Sequence, residues 1–60
     1  MEKANAMLRE TAKRAGVPLW AVAVELGISE ASMTRMMRRE LPEAEREQVL
    51  AAIAAVERRA

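Results

Sequence analysis

The sequence predicts an all-α protein, a compact bundle of about four helices in a single domain spanning residues 1–60. Apolar residues recur at intervals of three or four in four stretches, which is the spacing of one face of a helix. Glycine or proline separates these stretches at Gly16, at Gly27 and at Pro42. No stretch alternates apolar and polar residues as a strand does, so no β-structure is expected beside the helices.

The first predicted helix starts at Asn5, a candidate N-cap, and runs to about Ala15, where Gly16 ends it. Pro18 is expected at the first position of the second helix, because proline is tolerated there and disfavours helix in the residue before it. The apolar stripe of the first helix is modest and consists of Ala4, Leu8, Thr11, Ala12 and Ala15.

The second predicted helix covers residues 19–26 and is apolar nearly all round. Trp20 and Val24, four residues apart, form a stripe beside the main apolar face. Three interpretations of this stripe remain open: packing of a central helix within the chain, contact with a second subunit, and stacking of the indole on a base. The main face consists of Leu19, Val22, Ala23 and Leu26.

The connection after the second helix carries the most informative pattern in the chain. Gly27 lies where a helix must end and the chain must turn, a place that suits positive φ. Ser29 is a candidate N-cap for the next helix. Ala23, four residues before Gly27, is small enough for a crossing helix to come close. The residues expected to bury the angle between the two helices are Val22, Leu26, Ile28, Met33 and Met36.

This arrangement, a small residue, three further residues and a glycine with apolar neighbours, resembles the helix-turn-helix DNA-binding family. The resemblance is to short Cro-like phage repressors and mobile-element regulators, and it covers about 20 residues closely. It implies a helix-turn-helix without a wing. The stretch differs from many phage repressors at Leu19, where they carry glutamine, and at the bulkier Trp20.

The same resemblance implies sequence-specific binding of double-stranded DNA in the major groove. The expected role is transcriptional regulation of phage or mobile-element type, or a related architectural role such as excision, by a homodimer in the cytoplasm of a bacterial or phage-infected cell. The alternative is a small helical adaptor that binds a protein partner through the same helix face.

The third helix, predicted over residues 30–39, has a buried side and an exposed side. Met33, Met36 and Met37 cluster on one side and are expected to fill the core. The other side places short side chains before arginines, which suits a helix in the major groove, although an ordinary solvated face is the alternative. The predicted DNA-binding residues are Glu30, Ala31, Ser32, Thr34, Arg35, Arg38 and Arg39.

These residues are expected to play different roles. Arg35 is the best candidate for reading a guanine edge, and Arg38 contacts either a base or a phosphate. Ala31 is a candidate for contact with a thymine methyl group. Glu30 either accepts from a cytosine amino group or only favours the helix N-terminus. The expected phosphate contacts are Ser32, Thr34 and Arg39.

The last predicted helix starts at Leu41–Pro42, with glutamates in its first turn and arginines at its end, as the helix dipole favours. Its core face consists of Val49, Leu50, Ile53 and Val56. The opposite side is expected to face solvent or to pack on a second subunit, and it consists of Ala44, Ala51, Ala54 and Ala55.

Composition and charge limit the classes of function. The sequence contains no cysteine and no histidine, and its carboxylates are scattered, so we expect no enzyme, no cofactor, no metal and no small-molecule substrate. No signal peptide or membrane span is predicted. Residues 1–16 and residues 29–39 each carry +2, whereas residues 40–60 carry −2, which indicates one basic face. Sixty residues form only a marginal core, which favours self-association.

Overall fold

Four α-helices joined by short connections make up the chain. In this computed structural model, which describes residues 4–59, they are α1 (Ala6–Ala15), α2 (Leu19–Leu26), α3 (Glu30–Met36) and α4 (Glu43–Arg59). No strand occurs within those residues. The long α4 packs against both α1 and α2, and α3 packs against α2. The predicted all-helical bundle is therefore confirmed.

The core takes side chains from all four helices and from the connections between them. The Cα radius of gyration is 10.5 Å, against ~10.4 Å expected for a compact chain of this length. Three core residues were not predicted: Val17 and Leu41, which lie outside the helices, and Ala52. The buried apolar residues are Leu8, Ala12, Val17, Val22, Ala23, Met33, Met37, Leu41, Val49, Ala52 and Ile53.

The first helix ends as predicted but begins differently. Gly16 has a φ of 71°, and Val17 N–H donates to Ala12 O at 2.9 Å across the turn. Asn5 holds the N-cap position of α1, but its side chain makes no capping hydrogen bond, so the predicted cap is wrong. Its backbone is left-handed, with a φ of 61°, and the residue is only 2% exposed. The amide side chain is therefore used elsewhere.

The second helix has the predicted bounds, with Pro18 as its N-cap rather than its first residue. Pro18 precedes the helix because its backbone is extended, with a ψ of 155°, so the first helical residue is Leu19. α2 contacts both α3 and α4, as expected of a central helix. Trp20 and Val24, however, are 58% and 69% exposed, so this stripe takes little part in those contacts.

The third helix is shorter than predicted, since it ends at Met36 and not at residue 39. At the end of the helix, Arg38 N–H donates to Arg35 O at 3.3 Å, three residues back, and not to the carbonyl of Thr34, as a continuing α-helix would require. The turn that follows is held by the carboxamide of Asn5, whose Nδ2 donates to Met37 O at 3.3 Å and whose Oδ1 accepts from Leu41 N–H at 2.8 Å. A side chain from the start of the chain thus satisfies backbone groups beyond the end of the helix.

Further hydrogen bonds hold the same place, which we call the Asn5 junction (Asn5, Arg9, Met37, Arg39 and Leu41). The second Nδ2 hydrogen of Asn5 is donated to Arg39 O at 2.8 Å. Arg9 Nη2 donates to Met37 O at 3.0 Å. The carboxamide of Asn5 therefore uses both its donor hydrogens and its acceptor oxygen, which makes its burial affordable.

The fourth helix agrees with its prediction in its charges and in its core face. Acidic residues lie in its first turn and arginines in its last. On the core face, Val49 and Ile53 are buried, while Leu50 and Val56 are half-buried. On the alanine side, Ala44 and Ala51 are exposed, while Ala54 and Ala55 are half-buried. Within residues 4–59, no helix combines the length and the apolar character needed to cross a membrane.

Candidate functional site

The corner between α2 and α3 is closed by hydrogen bonds within a few residues. Gly27, with a φ of 74°, donates its N–H to Val24 O at 3.1 Å, and Ile28 donates to Ala23 O at 3.0 Å. This pair of bonds is the Schellman arrangement, which satisfies the last carbonyls of a helix. A side chain at Gly27 would meet no atom within 4 Å, so the need for glycine is conformational and not steric.

The start of α3 is capped as the sequence predicts. Ser29 is extended, and its Oγ accepts from Ser32 N–H at 3.1 Å. The Ser29 hydroxyl also donates to Ser32 Oγ at 3.1 Å. Ser32 is half-buried by this contact, but its own hydroxyl hydrogen is still available for donation.

All seven predicted site residues line one continuous surface along α3 and the turn after it. Three depressions make up this surface. The first shares Ala31 and Thr34 with the second, and the second shares Arg35 and Arg38 with the third. We call this surface the α3 face, and its members are Glu30, Ala31, Ser32, Thr34, Arg35, Arg38 and Arg39.

The α3 face is exposed and is supported by methionine. Every member except Ser32 is exposed. On the other side of the helix, Met33 is buried and Met36 is half-buried against the core, and Met37 is buried in the turn that follows. The prediction that the three methionines fill the core is therefore confirmed.

The charges of the α3 face are mostly positive, and the structure shows none of them in an ion pair among the residues that it describes. Arg35, Arg38 and Arg39 make no ion pair with any residue in the described part of the chain. The ion pairs found there lie on other surfaces, between Arg14 and Glu10 on α1 and between Arg59 and Glu25. Glu30, in the first turn of α3, is the single carboxylate of the α3 face.

Two of the predicted site residues do not lie on the helix where the sequence places them. Arg38 is in the turn after α3, where its N–H donates to Arg35 O at 3.3 Å, and Arg39 is at a bend. The carbonyl of Arg39 is held by Asn5. The backbone of Arg39 is therefore held by the Asn5 junction, whereas the backbone of Arg38 is bonded locally to Arg35.

The structure adds two residues of α2 to this region. Leu19 and Trp20 line the first depression together with Glu30, Ala31, Met33 and Thr34. From the sequence alone, stacking of Trp20 on a base is one of three interpretations and Leu19 stands at the position of a repressor glutamine, but neither is among the predicted site residues. Their position follows from the way α2 packs against α3, which is a tertiary property.

Comparisons with known proteins gave no match: no family model, no curated protein and no solved structure matches the chain. No group of three or more acidic side chains suited to a metal ion occurs within residues 4–59. The features of the molecule that indicate a function are therefore the α3 face and the connection between α2 and α3 that positions it.

Proposed function

We propose that the protein binds double-stranded DNA in the major groove, with α2 and α3 acting as a helix-turn-helix and α3 as the recognition helix. The observation that carries this proposal is the α3 face, where three exposed arginines, none paired with a carboxylate of residues 4–59, stand beside short side chains. Short side chains let the helix approach the floor of the groove, while guanidinium groups reach base edges and phosphates.

The corner before α3 supports the proposal. Gly27 closes α2 and Ser29 starts α3 within three residues, so the two helices keep a set relation to each other. The same resemblance to Cro-like phage repressors and mobile-element regulators that the sequence carries also points to this corner. Under this proposal, the protein regulates transcription in the cytoplasm without a cofactor.

Each member of the α3 face has a proposed role. Arg35, on the helix itself, reads guanine through O6 and N7. Arg38 and Arg39, beyond the end of the helix, contact phosphate, although Arg38 is also placed beside Arg35 and can reach a base. Ala31 approaches a thymine methyl group, and Glu30 accepts from a base amino group. Ser32 and Thr34 contact phosphate.

We propose that the protein acts as a homodimer, because one recognition helix per subunit reads two half-sites about 34 Å apart on one face of the duplex. Two surfaces are available for the contact: the exposed Trp20–Val24 stripe and the alanine side of α4. Light scattering over a concentration series, with and without duplex, tests this point. A strict monomer at high micromolar concentration in both conditions would exclude the dimer.

Titration of duplex DNA at several salt concentrations tests the binding itself. A site selected from random duplexes is compared with a scrambled one. We expect Arg35→Ala to cost ~1–3 kcal/mol on the selected site and much less on the scrambled site. Arg39→Ala should weaken both and lower the salt slope by ~1. Arg58→Ala, which removes the same charge from the last turn of α4 in the acidic part of the chain, is the matched control and should change neither affinity appreciably.

Two outcomes would contradict the proposal. Equal losses for Arg35→Ala on both duplexes would mean that α3 binds DNA without reading it through Arg35. A salt slope near zero for the wild-type protein would exclude DNA as the ligand. The α3 face would then serve the alternative function, which is binding a protein partner.

A further inference from the structure

A notch lies between the N-terminal end of α2 and the α3 face. It has a volume of about 380 Å³ and is lined by Leu19, Trp20, Glu30, Ala31, Met33 and Thr34. Trp20 is the only tryptophan of the chain, and 58% of it is exposed even though it adjoins this depression. A large indole left open beside a binding surface is a candidate contact residue.

The chemistry of the notch restricts its occupant. Four of the lining side chains are wholly or largely apolar, and the charged one is the carboxylate of Glu30. A carboxylate repels phosphate, so the notch is not a phosphate site. Ala31 and Thr34 also line the neighbouring depression, which contains Arg35 and Arg38. The notch is therefore continuous with the cationic surface proposed to meet the major groove.

We infer that this notch receives the C5 methyl edge of a thymine, which contacts Trp20 from α2 and Ala31 from α3. The inference rests on the proposed function. In the major groove of unmodified DNA, the thymine methyl is the one apolar group that a base edge presents, so it is the ligand that matches the apolar side of the notch, formed by Trp20 and Ala31. Glu30 at the same notch accepts from the exocyclic amino group of an adjacent cytosine or adenine.

This assignment adds a specificity residue outside the recognition helix. Trp20 belongs to α2 and enters the surface only because α2 packs against α3. Val24 lies one turn further along the same stripe, is 69% exposed and does not line the notch. Of the two exposed apolar residues of α2, only Trp20 therefore lines the notch, so Val24 provides a matched control.

The test compares two versions of the site selected from random duplexes, one with thymine and one with deoxyuridine, which lacks only the C5 methyl. We expect the wild-type protein to bind the deoxyuridine duplex about fourfold more weakly for each methyl in contact. Trp20→Ala should bind the thymine duplex more weakly than wild type and should distinguish the two duplexes less than wild type does, because only the Ala31 contact with the methyl remains. Val24→Ala, the matched control, should keep the full wild-type ratio.

The outcomes separate this inference from the proposed function. Equal wild-type affinity for both duplexes, with salt-dependent binding retained, overturns the notch assignment and leaves DNA binding intact. A Trp20→Ala variant that keeps the wild-type ratio also overturns it, because the methyl is then read elsewhere. Loss of salt-dependent binding to every duplex overturns the proposed function and the inference together.

The fluorescence of the wild-type protein gives a second measurement that needs no variant. The sequence contains one tryptophan and no tyrosine, so the emission reports on Trp20 alone. Saturation with the thymine duplex should shift or quench this emission, and the deoxyuridine duplex should do so less. An unchanged emission on saturation overturns the inference. A shift that depends on protein concentration without DNA assigns the notch to a second copy of the chain and also overturns it.

Discussion

The two connections that flank α3 are held in different ways. Before α3, the corner is closed by bonds between near neighbours, from Ile28 to Ala23 and from Ser32 to Ser29. After α3, the chain is held by Asn5 and Arg9, which lie between 28 and 36 residues away from their partners. The first connection uses local backbone chemistry, whereas the second exists only when the N-terminal segment is docked.

This difference divides the α3 face. Arg35 lies on the helix, and its position depends on the local corner and on helical spacing. Arg39 lies beyond the helix, and its carbonyl is held by Asn5, so its position depends on the Asn5 junction. A protein that loses the junction should therefore misplace Arg39, a proposed phosphate contact, before it misplaces Arg35, the proposed base contact.

The largest expected effect comes from the long-range connection. Asn5→Ala should lower the free energy of unfolding by about 3 kcal/mol, because it leaves the Leu41 amide without a partner and places alanine at positive φ. Asn5→Gly removes the same hydrogen bonds but accepts the backbone conformation, so it should lose less. Urea unfolding measures both. A free energy of unfolding within about 0.5 kcal/mol of wild type for Asn5→Ala would show that the Asn5 junction does not stabilise the fold.

The next effect tests the local connection through its backbone. Gly27→Val should cost more than ~1 kcal/mol, because a β-branched residue at a φ of 74° is strained. Gly27→Asn is the control and should cost less, since asparagine tolerates left-handed backbone. Thermal melting reports both variants. An unchanged midpoint for Gly27→Val would contradict the assignment of a left-handed corner.

A smaller effect tests the cap of the same corner. Ser29→Ala removes the acceptor for the Ser32 N–H and should cost about 1 kcal/mol. Ser29→Asp keeps an acceptor at the N-cap and should stay close to wild type. Chemical denaturation of the two variants measures their free energies of unfolding. Equal values would mean that the Ser29 cap does not contribute to stability.

The smallest effect concerns a local contact that is exposed. Arg14 and Glu10 pair at 3.1 Å, with 80% and 56% of their side chains in contact with solvent. Arg14→Ala should therefore change the free energy of unfolding by no more than about 0.5 kcal/mol. A larger loss of stability would show that local surface pairs matter here as much as the local corner does.

The sequence by itself determined the elements and the corner before α3. Gly16, Gly27 and Ser29 act on groups no more than five residues away, and their roles follow from backbone conformation and unpaired helix ends. The buried methionines and the α3 face follow from helical spacing, which is also local. These predictions held because the interactions concerned are made within the segment that carries them.

Only the tertiary structure decided the end of α3, the use of Asn5 and the surroundings of Trp20. Asn5 has the residue type of an N-cap, and nothing near it in the sequence indicates that its carboxamide will bond to Met37 O and Leu41 N–H. Trp20 adjoins Ala31 only because one helix packs against the other. Each of these features joins groups that are distant along the chain, and docking of the N-terminal segment and packing of α2 on α3 bring those groups together.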